Sequence, residues 1–371
     1  MKKSPEQLRI LHLSTAKTWR GGEQQIAYLA EELRSQGIRQ WIFCAKGSKM
    51  EAFCRERGFE IFPFSKGFSL NPIVAWRIRQ LCRRLGITHL HAHDSHAHTF
   101  AVLASLFFKN NTPLIVHRRV DFPIGGSFFS KWKYNHPLVR RIVCVSHFIK
   151  KLIEPAIRDT SRLAVVHSGI DLRKFEEKLL LTGKLRSEFN VPAGEWLIAN
   201  VAAIAPHKDY FTFVKTAEIL LLQHFPARFF IIGGDGGEEA AIREWMEQKR
   251  LSEKIILAGF RPDVPEILPE IDLLLFTSKT EGLGTSLLDA MACGVPVVAT
   301  HAGGIPEIVE DEVSGLLAPV SDAESLARQV RRLLEEPGLK QRLTQAAHRN
   351  VQAFSKEKMA AAILDLYLET S

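Results

Sequence analysis

Two carboxylates, a lysine and a glycine-rich loop carry most of the chemistry that this 371-residue sequence could do. The densest stretch runs from Ser278 to Val309. An apolar strand over 272–277 leads into Glu281-Gly282-Leu283-Gly284-Thr285-Ser286, and a helix follows over 285–292. A glycine loop that opens a helix presents free N–H groups and the positive end of the helix at one point, which suits an anion such as a phosphate. Asp289 sits early on that helix, where a carboxylate can accept hydrogen bonds from vicinal hydroxyls such as those of a ribose. Glu281, on the loop, can reach hydroxyls of whatever lies beyond the phosphates. Lys208, in Pro206-His207-Lys208-Asp209, follows a strand over 196–203. A lysine there lies on the ligand edge of an open α/β sheet and would neutralise a diphosphate leaving group. Gly233-Gly234-Asp235-Gly236-Gly237 forms a further wall of that edge, and its context does not fit the dinucleotide fingerprint.

The first half offers other groups. Val116-His117-Arg118-Arg119 ends a strand, so His117 or Arg119 points at whatever binds there. The run from His89 to His98 nearly spells a binuclear metallohydrolase pattern, with Asp94 and His96 transposed. On a strand, His89, His91 and His93 share one face and could bind Zn²⁺. No downstream ligand set accompanies them, and the expectation is no metal. Phe128–Tyr134, followed by Arg140-Arg141, mixes aromatics with bases and could dock an anionic bilayer or a lipid-linked acceptor.

These groups must be positioned by an alternation of strands and helices, which argues for parallel sheets covered on both faces. Strands are expected over 9–13, 40–45, 88–93, 114–117, 141–145 and 163–167, with helices over 23–35 and 71–85. In the second half strands are expected over 196–203, 228–232, 254–257, 272–277 and 296–300. Helices there cover 210–223, 285–292, 323–335 and 356–369. The length suggests two domains. Residues 1–172 form the first, joined by a C-terminal helix about 353–371, and 173–352 form the second.

Composition narrows the class. Hydrophobic residues make up 46% of the chain, and no run approaches a membrane span. Met1–Glu6 has no apolar region behind its lysines, so no signal peptide is expected. Five scattered cysteines without a CxxC pair suggest reduced thiols and a cytoplasmic setting. Residues 1–172 carry 27 Lys+Arg against 12 Asp+Glu, whereas the remainder carries 22 against 29. Only the first half therefore invites an anionic partner, and no nucleic-acid reader motif accompanies the charge.

The string from Glu281 through Asp289 to Gly303-Gly304 and Glu307 resembles the donor site of retaining glycosyltransferases of family 4. Trp19-Arg20-Gly21-Gly22-Glu23 resembles that family's first glycine loop, and Gly259-Phe260-Arg261 its base-holding loop. Val143–Ser146 and Ser168–Asp171 match its strand and linker motifs. The resemblance covers nearly the whole chain and implies a GT-B fold, two Rossmann-like doubly wound domains facing across a cleft. It implies that Glu281 contacts the donor sugar, Asp289 the ribose and Lys208 the phosphates. Gly21, Gly22, Gly234, Phe260, Arg261 and Gly282, Leu283, Gly284 and Thr285 would line the donor site. His117 would face the sugar. Two departures stand out: Asp289 replaces the usual Glu, and Ala203 stands where an Arg precedes the Lys by five residues. Arg20, Arg118, Arg119 and Arg261 are the candidate substitutes at the phosphates.

The expected enzyme moves a sugar, with retention and without a metal or other cofactor, from a nucleotide-sugar co-substrate, a UDP-sugar by preference. The acceptor is expected to be a glycan or lipid-linked molecule of bacterial cell-surface polysaccharide or lipopolysaccharide synthesis, with the basic domain on the inner membrane face. Alternatives are a nucleotide-sugar 2-epimerase of the same architecture and a non-catalytic binder of sugar nucleotides or polyanions.

Overall fold

The structure, a computed structural model, describes residues 4–65, 67, 70–176 and 183–370. Met1–Lys3, at the start read as leaderless, and Ser371, at the end of the last expected helix, lie outside them. The chain folds as two compact units, Met1–Gly169 with Lys356–Ser371 and Ile170–Ser355. The sequence reading places these divisions three residues to either side, at 172/173 and 352/353.

The first unit is built on strands β1 (Arg9–Ser14), β2 (Arg39–Cys44), β3 (His89–Ala92), β4 (Leu114–Arg118), β5 (Val139–Cys144) and β6 (Leu163–Val165). They form one sheet in the order β2-β1-β3-β4-β5-β6, and all pairs are parallel. The order reverses between β1 and β3. The strands read as near-continuous apolar runs because helices cover both faces. Helices Gly21–Ser35 and Lys356–Glu369 pack on one face, where Tyr28, Leu29, Leu33, Ile363 and Tyr367 meet Ile10, Ile115 and Val143. Helix Pro72–Leu85 begins as expected: the Asn71 side chain accepts from the Ile73 N–H and Pro72 occupies the first turn.

The second unit is built on β7 (Trp196–Val201), β8 (Ala227–Ile232), β9 (Ile255–Gly259), β10 (Leu273–Phe276), β11 (Val297–Thr300) and β12 (Leu316–Ala318). Their order is β12-β11-β10-β7-β8-β9, again parallel, and it reverses between β7 and β10. Ligands of open α/β sheets bind outside the carboxyl ends of the strands at such a reversal. Two expectations are corrected. The second sheet has a sixth strand, β12, whose three residues are too few to show a period. The first glycine-loop helix starts at Gly21 and not Glu23, because Glu23 turns back to accept a hydrogen bond from the Arg20 N–H at 3.0 Å.

Candidate active site

In the second unit the loops after β7 and β10 stand at the reversal. The first holds the 3₁₀ turn Pro206–Lys208, and the second holds Glu281 and leads into helix Thr285–Ala292. They are fastened together. The Thr277 hydroxyl donates to the Lys208 carbonyl at 3.0 Å, and the Lys279 N–H donates to the His207 carbonyl at 2.8 Å. Lys208 Nζ donates to Glu281 Oε2 in a close ion pair and lies 5.0 Å above the centre of the Phe276 ring. Ser278 Oγ also donates to Glu281 Oε2, at 3.2 Å. The two candidate residues, 73 apart in sequence, thus share one site.

Gly284 adopts a left-handed conformation, φ 93°, as the cap of helix Thr285–Ala292. The N–H groups of Leu283, Gly284, Thr285 and Ser286 have no partner among the described residues. This is the open, positively polarised helix end that an anion site needs. The loop rests on Gly303-Gly304, and the Gly304 N–H donates to the Glu281 carbonyl at 2.9 Å. Thr300 Oγ1 donates to the Ser278 carbonyl at 2.6 Å and anchors the preceding turn to β11.

Asp289 lies one turn further along. Its carboxylate has no hydrogen-bond partner among the described residues. Burial pushes its pKa up to about 7, an effect only partly offset by the charge of Lys174. The raised value means that the neutral form dominates below pH 7 and the hydroxyl-accepting carboxylate above it. If Asp289 grips a diol, donor affinity rises up to about tenfold between pH 6 and pH 8, as the ionised fraction does. Asp289→Asn is expected to flatten that profile in a titration monitored by intrinsic fluorescence. A wild-type profile that is already flat removes the assignment.

The glycines after β8 do structural work. A side chain on Gly233 would lie 1.9 Å from the Ala202 carbonyl oxygen, and one on Gly236 2.8 Å from Ile204 O. These two glycines let the loops after β7 and β8 touch, and the Ile204 N–H donates to the Gly234 carbonyl at 2.9 Å. Gly234 itself faces Phe260, which is exposed at the end of β9. Ala203 is exposed on the same edge.

Two of the four arginines expected to compensate for Ala203 are committed elsewhere. Arg261 is gripped by Asp263, at 2.8 Å through both Nε and Nη2, and by Glu188 at 2.6 and 2.8 Å. These carboxylates raise its pKa further and consume its charge. Arg118 is buried, donates to the Phe122 carbonyl and stacks on the Phe122 ring. Arg20 is exposed just before the helix, and Arg119 turns into the first unit's histidines. A basic group that the sequence reading missed, Lys279, lies 3.4 Å from Asp209 on the fastened loop pair. Its position next to the strand end was the available signal.

In the first unit the reversal between β1 and β3 gathers a second set. Asp94 caps helix Ser95–Phe108, accepting from the His96 and Ala97 N–H groups. It also accepts from the Thr15 N–H at 2.6 Å and the Thr15 hydroxyl at 2.8 Å, which ties the loop after β1 to β3. His117 and Arg119 project to the same side. Arg119 Nη2 donates to His117 Nδ1 at 3.1 Å. Burial holds His117 well below its usual range, so it is neutral with its proton on Nε2, ready to donate. Gly22 lies beside Arg119, since a side chain there would be in ordinary contact with Arg119 Cδ at 3.8 Å.

The histidine face is sorted differently from expectation. His89 leaves the group for Thr88 and Thr370. His12, which pairs with His91 in register, joins His91 and His93, and their nitrogens lie within 4.8 Å of one another. His93 and His12 are hydrogen bonded at 3.0 Å, His12 Nε2 meets Gln40 Oε1 at 3.2 Å, and His91 Nδ1 meets Tyr367 Oη at 2.6 Å. Burial keeps all three neutral. The neighbouring Arg119 charge also depresses His91 and His93, and it opposes a cation here.

Two six-stranded parallel sheets, each with a glycine loop and polar side chains at its reversal, define a GT-B-type architecture. The chain belongs to the family 4 glycosyltransferases: residues 19–174 match the model Glycosyltransferase Family 4 and residues 182–350 the model Glycosyl transferases group 1. N-acetyl-alpha-D-glucosaminyl L-malate synthase of Bacillus anthracis is 26% identical over 62% of this chain and 59% of its own length. The UDP-Gal:alpha-D-GlcNAc-diphosphoundecaprenol alpha-1,3-galactosyltransferase of Escherichia coli is 23% identical over 62% and 60%. The chain thus spans less than two thirds of these relatives. HepE of Anabaena, solved with UDP and glucose, superposes with a TM-score of 0.84 at 20% identity, covering 96% of this chain and 98% of HepE. A glycosyltransferase of Rickettsia africae gives 0.85 at 22% identity over 98% of both chains. Likeness at this identity shows the fold.

Proposed function

We propose that this protein transfers a sugar from a nucleotide-diphosphate sugar, a UDP-sugar by preference, to a glycan or lipid-linked acceptor with retention of anomeric configuration. The observation that carries the reading is the Lys208–Glu281 pair beside the unpartnered N–H groups at the start of helix Thr285–Ala292. A diphosphate brings charge that the helix end and an ammonium both attract. As the glycosidic bond breaks, negative charge grows on the leaving oxygen, and Lys208 shifts its pairing from Glu281 towards it. Glu281, released, accepts from hydroxyls of the donor sugar. Lys279, half exposed and 3.4 Å from Asp209, would supply a second cation by leaving that carboxylate, where Ala203 supplies none. Asp289 takes the ribose diol, and Gly234, Phe260 and the loop after β9 take the base.

The leaving diphosphate takes the acceptor's proton on the face it departs from, so retention needs no protein nucleophile and the charge balance needs no metal. His117, neutral and donating from Nε2, holds a sugar hydroxyl. HepE, solved with UDP-glucose, and the E. coli galactosyltransferase, named for a UDP-Gal donor and a diphosphoundecaprenol acceptor, support these choices. Nucleic acid is no part of the reading.

The test is a thermal-unfolding panel of UDP-, GDP- and ADP-sugars. The cognate donor at 100 times its Kd adds about 2.7 kcal/mol of stability. A panel that shifts nothing, followed by no transfer to extracted bacterial lipid acceptors, rejects the proposal.

A further inference from the structure

An apolar groove on the first unit takes no part in the site above. Helices Pro72–Leu85, Ser95–Phe108 and Phe128–Tyr134 contribute Leu70 (just before the first), Leu103, Leu106, Phe107, Phe108 and Phe129 to a cavity of about 600 Å³. Every lining side chain is apolar. Phe107 is 60% exposed, Leu106 54%, and the adjoining Ile73 and Phe128 66% and 81%. Apolar side chains concentrated at one surface in this way mark an interaction site.

The charge around the groove selects the partner. Of the basic residues described between 70 and 140, Arg118 and Lys133 are buried and Arg119 turns to the histidines, which leaves seven Lys and Arg against two acids, Asp94 and Asp121. Asp94 is spent on Thr15 and its helix cap. Lys109 directly follows Phe108, Lys131 lies two residues beyond Phe129, and Arg83 is exposed on the first helix. Arg79 Nε donates to the Phe108 carbonyl at 3.1 Å, which places this arginine at the groove. Aromatic and aliphatic side chains flanked by cations that outnumber the acids match the headgroup boundary of an anionic bilayer. No helix among the described residues is long and apolar enough to cross one.

We infer that this groove and its basic rim seat the first unit on an anionic phospholipid surface, with Leu106, Phe107, Phe128 and Phe129 entering the acyl boundary. The full chain is floated with vesicles of three parts phosphatidylcholine to one part phosphatidylglycerol, and separately with phosphatidylcholine alone. Binding to the anionic vesicles is expected to be at least about tenfold stronger and to fall as sodium chloride is raised. Leu106→Ser with Phe107→Ser, and separately Lys109→Glu with Lys131→Glu, should each lower it about tenfold while the melting temperature holds. Equal binding to both vesicles, or unchanged binding by both variants, overturns the inference. So does sedimentation showing a dimer that the serine variant dissolves while vesicle binding is absent. Donor binding is read separately, so failure here leaves the transfer reading intact.

Discussion

Lys208→Ala is expected to lower turnover about a hundred- to a thousandfold, with a smaller change in donor affinity. The ammonium lies against Glu281 in a pocket where both side chains are about one-seventh exposed, at 13% and 15%. Removing a preorganised group aimed at developing charge costs this much because it acts more strongly on the transition state than on the bound donor. The pairing makes a second measurement informative. Glu281→Gln removes the carboxylate that holds the ammonium in the free protein, so Lys208 is released to a bound diphosphate. Affinity for UDP alone should then hold or rise, while sugar transfer falls. In Lys208→Ala affinity for UDP should drop modestly. Calorimetry with UDP and a transfer assay with the cognate donor separate the two. Full turnover in Lys208→Ala would remove the lysine from the mechanism, whatever the affinities did.

What could be read from the sequence depended on how far apart the cooperating residues lie. Glu281, Gly284 and Asp289 are legible because a strand, a glycine loop and a helix follow one another within a few residues, and each leaves its own local signature. That Lys208 and Glu281 serve one site is legible from their strand ends and the resemblance, but their direct ion pair is not, because it depends on β7 lying beside β10, a strand order that local periodicity does not encode. The histidines make the same point. Alternation along β3 correctly places His89, His91 and His93 on one face, but His12 enters only through its register with His91 on β1. His89 is drawn off by Thr370 at the far end of the chain. Helix Ser95–Phe108 escapes a periodicity reading because Ala97–Ala104 are all buried and no polar face alternates with them. Helix Leu339–Val351 buries two alanines among its five core positions, which leaves a faint apolar stripe. Arg261 shows the converse. Its place after β9 is legible, but its commitment to Glu188 and Asp263 is not.

Gly303→Ala tests the support beneath the loop, and here the expected effect is on stability and turnover together. Gly303 has φ 53°, where a side chain is already strained, and an added Cβ would stand 2.2 Å from the Glu281 carbonyl oxygen and 2.7 Å from its nitrogen. Backbone cannot yield as a flexible side chain would, so the Glu281 loop must lift. Left-handed strain alone costs about 1–3 kcal/mol, and the collision adds to it. A loss of at least about 2 kcal/mol lowers the melting temperature of a unit this size by about 4 °C or more. A displacement of about 1 Å at Glu281 takes turnover down roughly a hundredfold. Gly294→Ala is the matched control. Its φ is 70°, with nothing within 4 Å of the added atom, so it carries strain without collision. It should lose some stability and keep its activity. If Gly303→Ala instead behaved like Gly294→Ala, the packing of the loop on residues 303–304 would not be what places Glu281, and the fixed geometry assigned to the Lys208–Glu281 site would lose its physical basis.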